Sequence, residues 1–540
     1  MLSKTKKLNI LVQTVSADDD HMPDFVYTIT MDKRLVMESL EEDVALWTPS
    51  SPVMLDFPTG TGKNYFVTQV VVPRAIAEDK NVLILSNRVA LSVQQKLSMM
   101  KPDDPRRICL TPEGIRRLED LGNVRVLTYQ RLAALIRDTG NKEWIRNLKY
   151  VIADEAHFFV ADAKFNTDCG YLLKLVTSRF CHAVRLYLTA TSWDILFPLC
   201  EAEKRSYLDL RPYKEWEPPR SLIRYWIEPD YNGLTPVFFT EYSDLIEEIR
   251  RKQPEKWIVF VDSKKDGRML QDHLDDLAQY LDADEKGSHT WNQIVETERF
   301  DAQVLITTSV LDNGVNIRDD SVQNIAVVSD DRTAIIQSIG RKRRRPGEAV
   351  NVWIRIDEKQ ISKRYARCRE LVQWEEKFSC CCSLRARQDF LRVIWEQDDA
   401  RLRKLFIPCR NDLFINELAF YSIRRKEKFY ENIISGRTTF KAEALRWLNA
   451  LPKEVPPLDA QLKDFYQQYG KTVLSESLFS ELRDIIVNTY ILAGFKEPQP
   501  QRVSTLMDKA LNNRLESLRL PYRIQVDEGK RFLTVLEEEN

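Results

Sequence analysis

The nine cysteines contain no Cys-x-x-Cys pair, and Cys380, Cys381 and Cys382 are consecutive. Neighbouring side chains cannot easily converge on one tetrahedral ion, so reduced, partly buried thiols are expected there rather than a metal site. The five histidines are too few and too dispersed for a metal-dependent nuclease centre of the HD type. No excess of charge exists either: 80 basic residues stand against 81 acidic ones, a formal net charge of -1. That balance argues neither for nor against nucleic acid, because binding needs only a local basic surface. No apolar run is long enough to span a bilayer. Met1–Asn9 carries lysines but no apolar core followed by a small-residue cleavage site, so no secretory signal is expected. These absences lead to the expectation of a cytoplasmic protein with no membrane contact.

What is present is the composition of an ordinary globular chain, 43% hydrophobic, 30% charged and 10% aromatic. A length of 540 residues exceeds one hydrophobic core, so two to four domains are expected. The first half alternates short apolar runs with helical stretches, the pattern of parallel α/β units. Strands are predicted at Val53–Asp56, Val82–Ser86, Val124–Thr128, Tyr150–Asp154 and Arg185–Thr189, with helices such as Tyr65–Ala77 and Val89–Met99 between them. A proline- and aromatic-rich stretch after Ser206, including Glu217-Pro218-Pro219, reads as a linker with some strand character. A second series follows at Trp257–Val261, Gln303–Thr307, Asn324–Val328 and Val350–Ile356. Beyond Asp357 long charged amphipathic helices take over, for example Ser362–Phe378 and Leu384–Arg401, with strand signals returning at Tyr522–Val526 and Arg531–Val535. The expected division is an N-terminal segment (1–48), a first lobe (49–205), a second lobe (206–356) and a mostly helical region (357–540).

The strand Val53–Asp56 runs into Pro58-Thr59-Gly60-Thr61-Gly62-Lys63-Asn64, and a helical pattern follows. Strand, glycine loop and helix form the context of a phosphate loop. Gly60 and Gly62 permit close backbone approach, the helix start aims N–H groups at phosphate oxygens, and Lys63 adds a point charge. A tight turn with an exposed lysine would share the same string. The residue after the lysine is normally Ser or Thr, whose hydroxyl ligates Mg²⁺. Here it is Asn64, an amide of different reach. Downstream, Tyr150–Ala153 is an apolar strand ending in Asp154 and Glu155, followed by Ala156 and His157. Alone, such a pair is common solvated punctuation; with the loop it places a metal-holding carboxylate and a water-orienting one.

With these residues assembled, the chain resembles a superfamily 2 helicase of the DEAH-box (DExH) type, over roughly Val53 to Ile356, with a flavour of bacterial chromosomes and mobile elements. The resemblance implies two RecA-like lobes with ATP and Mg²⁺ in the cleft between them. Gly60–Asn64 resembles motif I, with Thr59 also expected at the nucleotide, and Asp154-Glu155-Ala156-His157 resembles motif II. Asn87 and Arg88, after the strand Val82–Ser86, resemble a backbone-phosphate contact; Thr128-Tyr129-Gln130 resembles a further strand-binding motif; Thr189-Ala190-Thr191 is similar to the coupling motif III. In the second lobe Phe260–Ser263 stands where motif IV belongs. Thr308–Asn316 resembles motif V, with Thr308 on the strand side and Asp312 and Gly314 near the nucleotide. Gln337–Arg344 resembles motif VI, with Gln337, Gly340, Arg341 and Arg344 matching and Ser338 and Arg343 departing from the usual Arg and Gly. Arg344 falls at the arginine-finger position, worth ~10³–10⁵ in rate where the role is met. An ordinary basic run would look much the same.

The implied roles are therefore Glu155 for the attacking water with Gln337 assisting, Asp154 and Asn64 for Mg²⁺, and Arg341 and Arg344 completing the site on closure. The implied partner is a nucleic acid strand, with DNA ranked ahead of RNA and the choice open, contacted near Asn87, Arg88, Thr128, Ser263 and Thr308. An iron–sulphur cluster inserted between motifs I and II is not expected, since only Cys109 lies there. The helical region interleaves Arg and Lys with Trp374, Trp395, Tyr421 and Phe429, a pattern for strand or protein binding or simply for helices packed on the second lobe. The oligomeric state is open.

Overall fold

The computed structural model describes residues 25–31, 36–86, 96–97, 99–100, 104, 110–210, 221–285, 288–308, 316–345, 347–409, 412–450, 458–492, 506–518, 520 and 522–535. Asn87, Arg88, Asp312 and Gly314, with most of the predicted helix Val89–Met99, lie outside them.

The apolar runs of the first half form one parallel sheet of seven strands: β1 (Val26–Thr30), β2 (Val53–Asp56), β3 (Asn81–Ser86), β4 (Val124–Thr128), β5 (Leu148–Ala153), β6 (Val184–Thr189) and β7 (Leu222–Trp226). Their spatial order is β1-β7-β2-β6-β5-β3-β4. The central strands β2, β3 and β6 are buried along their whole length, because helices cover both faces of a parallel sheet. The first sheet extends past the expected bounds of 49–205: β1 lies before residue 49, and β7 comes from the stretch read as a linker. β7 pairs directly with β2 and carries β1 on its other side.

The second lobe is a parallel sheet of six strands: β8 (Leu234–Phe239), β9 (Lys256–Val261), β10 (Ala278–Leu281), β11 (Val304–Thr307), β12 (Val322–Val328) and β13 (Val350–Arg355), ordered β10-β11-β9-β12-β13-β8. The sequence pattern misses β8 and β10, both edge strands. Pro236 interrupts β8, and an edge position tolerates the missing N–H.

The helices after residue 357 pack on both lobes rather than on the second alone. Leu371, Phe390, Phe406 and Phe420 belong to the hydrophobic core of the first lobe, while Ile361, Tyr430, Phe440 and Trp447 belong to that of the second. The helix Glu417–Ile434 thus spans the junction. Trp374 packs edge-on against Phe390, Phe429 against Trp447, and Tyr421 stacks on Phe197, so these aromatics serve packing; Trp395 is 57% exposed. Residues from Leu458 onward form a separate core around Phe465, Leu482 and Leu511, closed by the hairpin Tyr522–Asp527 and Lys530–Val535. Among the described residues no helix is long and apolar enough to cross a membrane.

Candidate functional site

Parallel sheets present their ligand sites at the carboxyl ends of the strands, and there the first-lobe residues gather. β6 lies between β2 and β5, so the glycine loop, Thr189–Thr191 and Asp154-Glu155 leave three adjacent strands side by side. Backbone bonds tie the ends together, from Phe57 N to Thr189 O (3.1 Å), Asp154 N to Leu85 O (2.9 Å) and Ala156 N to Leu188 O (2.8 Å).

Gly60 and Gly62 both hold the left-handed conformation, at φ +87° and +85°, which lets the loop turn back over the strand end. The helix begins at Lys63 and continues to Ala77, with a widened π turn over Val67–Val71 just before Pro73, which cannot donate to the ladder. The Lys63 ammonium donates to Phe57 O at 2.6 Å and Pro58 O at 3.3 Å. Burial pushes its pKa down, opposed by the charges of Glu155 and Asp154.

Asp154 is 2% exposed, and its Oδ1 accepts from Glu155 N at 3.0 Å. Glu155 itself has φ +50°, an unusual conformation for a side-chain-bearing residue, and its Oε2 is shielded from solvent without a hydrogen-bond partner. Burial works against ionisation of Glu155, but the neighbouring His157, Lys63, Arg341 and Arg343 outweigh it and hold the carboxyl below its usual range. Tyr129, stacked on Phe158, supports the turn from beneath by donating to Asp154 O at 2.8 Å. Thr189 Oγ1 accepts from Thr191 N at 3.0 Å, and both threonines are buried.

The second lobe closes on this edge. Gln337 Nε2 donates to His157 Nε2 at 2.9 Å, which leaves the imidazole proton on Nδ1, 3.3 Å from both Thr189 Oγ1 and Glu155 Oε2. Gln337 therefore reaches the acid pair through His157. Thr59 Oγ1 donates to Gly340 O at 3.4 Å, and a Cβ on Gly340 would stand 2.1 Å from that hydroxyl, so only glycine allows this approach. Arg341 is buried, with its Nε unpartnered. Arg344 also lines the cleft between these groups, where it donates to Asn232 O at 2.8 Å and Asp230 O at 2.6 Å. Together these residues line a cleft of about 760 Å³ that includes Thr59–Tyr65, Asp154, Glu155, Gln337, Gly340 and Arg341. Its hard oxygen donors, the Asp154 carboxylate and the Asn64 amide, suit Mg²⁺ rather than a softer ion.

Of the expected strand contacts, Thr128 ends β4, Thr308 follows β11, and Ser263 follows β9 while capping the helix Lys264–Leu274 by accepting from Asp266 N at 3.1 Å. The sequence pattern missed two supporting groups. Asp56, buried at the end of β2, accepts from Ser192 Oγ at 2.6 Å and Arg224 Nε at 2.8 Å, linking the loop strand to the segment after Thr191. A carboxylate closing an apolar run was its only signal. Beyond it, Trp193 Nε1 donates to Thr333 Oγ1 at 3.0 Å, and Arg425 pairs with Asp194 at 3.1 Å, joining both lobes to the spanning helix.

Residues 31–193 match the family described as type III restriction enzyme, res subunit, and residues 240–345 match the helicase conserved C-terminal domain. The first lobe is thus similar to the res subunit of type III restriction enzymes, and the second to the C-terminal domain of helicases. The uncharacterized ATP-dependent helicase MJ1574 of Methanocaldococcus jannaschii is 27% identical over 260 residues, covering 44% of this chain and 35% of that protein. The chain thus spans about a third of the length of the curated relative it matches. Among solved structures, S. cerevisiae Dbp5 bound to RNA and ADP BeF3 aligns at a TM-score of 0.41 with 17% identity, covering 59% of this chain and 83% of that one. The DUF1998 helicase MrfA bound to DNA aligns at 0.44 with 15% identity, over 72% and 61%. The Mycobacterium smegmatis helicase Lhr bound to ssDNA and AMP-PNP aligns at 0.41 with 14% identity, over 76% and 58%.

The Gln337–His157 contact between the lobes should be pH-sensitive. Burial pushes its pKa below the usual value, opposed by Glu155, Asp194 and Asp162 and reinforced by Lys63. A histidine depressed in the folded state is tolerated while neutral; as pH falls through its unfolded value of about 6.5, the unfolded chain takes the proton first and stability is lost. Protonated Nε2 also loses its acceptor role toward Gln337. Melting temperatures measured from pH 7.5 to 5.5 should fall more steeply for the wild type than for His157→Gln; equal slopes would remove His157 from this role.

Proposed function

We propose that the chain is an ATP-dependent nucleic-acid helicase or translocase of superfamily 2, DEAH type, moving along a DNA or RNA strand. The observation that carries this reading is the composite cleft, in which Gln337, Gly340 and Arg341 of one lobe close on the phosphate loop and Asp154-Glu155 of the other. In it, the N–H groups of Thr59–Gly62 and the start of the helix bind phosphate oxygens, and Lys63 turns its ammonium toward them. Asp154 and Asn64 would hold Mg²⁺, which would neutralise charge on the phosphates. Glu155 orients the water and takes its proton, with its position set by the turn over Tyr129. Gln337 senses closure through His157, and Arg341 brings positive charge beside Glu155. Asp312 and Gly314 are assigned to the nucleotide, and Asn87, Arg88, Thr128, Ser263 and Thr308 to the backbone of a single strand. Thr189 and Thr191, bonded to each other and next to His157, convert the state of the site into relative movement of the lobes.

Asn64 supports a second reading, a nucleic-acid-binding scaffold with little turnover, since its amide stands where a hydroxyl usually ligates the metal. Steady-state ATP hydrolysis measured with single- and double-stranded DNA and RNA separates the two. Single-stranded DNA should raise the rate by about tenfold or more, equivalent to 1.4 kcal/mol of barrier. No stimulation by any strand would favour the scaffold. Strand-displacement and triplex-displacement assays side by side then distinguish unwinding from translocation on duplex. The region after residue 357 is assigned a supporting role in lobe geometry, with the Trp395 face available to a protein partner.

A further inference from the structure

The run Arg341-Lys342-Arg343-Arg344-Arg345 lines the cleft along its whole length, and the backbone decides which side chain faces the phosphate loop. The helix Arg332–Arg341 ends at Lys342, whose backbone is extended. Ile317 locks that stretch on both sides, with Ile317 N donating to Arg341 O at 2.8 Å and Arg343 N donating to Ile317 O at 2.9 Å. In extended backbone successive side chains leave on opposite faces. Lys342 points inward, fully buried, with its ammonium on Asp319 O (2.9 Å) and Glu348 Oε1 (2.6 Å). Arg343 therefore points the other way, over the phosphate loop: a Cβ on Gly60 would lie 2.8 Å from its Nη1. Asn316 Oδ1 accepts from Arg343 Nε at 2.9 Å and from Nη2 at 2.6 Å, which fixes the guanidinium with Nη1 turned toward the loop. Arg344 spends both terminal nitrogens on the carbonyls of Asp230 and Asn232, in the segment joining the lobes.

We propose that Arg343, rather than Arg344, is the second-lobe arginine that meets the γ-phosphate, and that Asn316 is its positioning residue. The assignment rests on the ATP-hydrolysing reading above. It departs from the motif VI pattern, in which this position is a glycine. Burial, with the charges of Arg341 and Arg318, pushes the Arg343 guanidinium down to about 10. Crowding cations in this way is unfavourable without an anion and favourable with one. During hydrolysis the water oxygen bonds to the γ-phosphorus, and the bond to the bridging oxygen breaks with its electron pair leaving on ADP. The water proton passes to Glu155. Arg343 exchanges no proton and offsets the charge that develops on the equatorial oxygens.

The test compares wild type, Arg343→Ala, Arg343→Lys, Arg344→Ala and Asn316→Ala, each checked for folding by circular dichroism. Calorimetry gives the affinities for AMP-PNP and for ADP, and hydrolysis is followed with single-stranded DNA present. Arg343→Ala should lose about tenfold or more of the preference for AMP-PNP over ADP, with ADP affinity nearly unchanged, and about 10³-fold in kcat. Asn316→Ala should show the same pattern more weakly, and Arg343→Lys should recover part of the preference but little of kcat, because an ammonium lacks the fork. Arg344→Ala should retain the preference. If Arg343→Ala kept both preference and kcat while Arg344→Ala lost them, the assignment would be overturned. If the folded wild-type chain bound neither nucleotide, the ATP-hydrolysing reading would fall, and this assignment with it.

Discussion

Replacing Glu155 with Gln should lower kcat for ATP by roughly 10²–10⁴-fold, the usual contribution of a positioned general base, while leaving nucleotide affinity close to that of the wild type. The size follows from the electrostatics of the cleft. His157, Lys63, Arg341 and Arg343 outweigh burial and hold the carboxyl below its usual range, so it is ionised throughout the neutral region and its base form is always present. Lower basicity is the cost, and positioning must supply the remainder. The φ of +50° and the Asp154 Oδ1 contact to Glu155 N fix where the carboxylate points, and His157 Nδ1 stands 3.3 Å from its Oε2. An amide keeps the shape but accepts no proton. Single-turnover hydrolysis alongside calorimetric nucleotide binding measures both halves of the prediction, and undiminished hydrolysis would remove Glu155 from its role.

Glu203→Ala should be the most damaging single change to stability, at about 3–5 kcal/mol for the first lobe, because it strands a buried cation. Arg185 on β6 and Glu203 on the helix Leu196–Leu210 are 3% and 1% exposed, with Nε–Oε1 at 2.8 Å and Nη2–Oε2 at 2.9 Å. Tyr187 donates to the same carboxylate at 2.6 Å. Burial opposes the charge on Arg185, but Glu203 outweighs it and raises its pKa. The double change Arg185→Met with Glu203→Leu should recover most of the loss, since removing both charges leaves no unpaired ion. The unpartnered Tyr187 hydroxyl would still cost about 1–3 kcal/mol. Urea titrations of the wild type and the two variants test this. A loss below about 1 kcal/mol for Glu203→Ala, the range of exposed pairs, would mean the pair is hydrated in solution.

The strand and helix pattern was readable because parallel strands buried on both faces are continuous apolar runs, as in Val53–Asp56, Val124–Thr128 and Trp257–Val261. Strands that escaped lie at edges or inside a stretch rich in proline and aromatics. β1 and β7 join the first sheet only through pairing with residues distant in sequence, as Val53 with Ile223. The destination of the C-terminal helices was equally hidden, since an amphipathic face declares that it will be covered and not by what. Phe420 and Tyr430, on one helix, pack into different lobes.

Local chemistry belongs to the sequence by itself. A strand, a glycine loop and a helix start are contiguous, so Gly60, Gly62 and Lys63 carry their roles within a few residues, as do Asp154 and Glu155 at a strand end. What only the tertiary structure decided is which second-lobe groups face them. Arg341, Arg343, Arg344 and Arg345 are alike in composition, and their directions depend on where the helix ends and on the Ile317 pairing that alternates Lys342 inward and Arg343 outward. Side-chain direction in an extended segment flips with each residue, so a single step in register chooses which arginine lies on the phosphate loop.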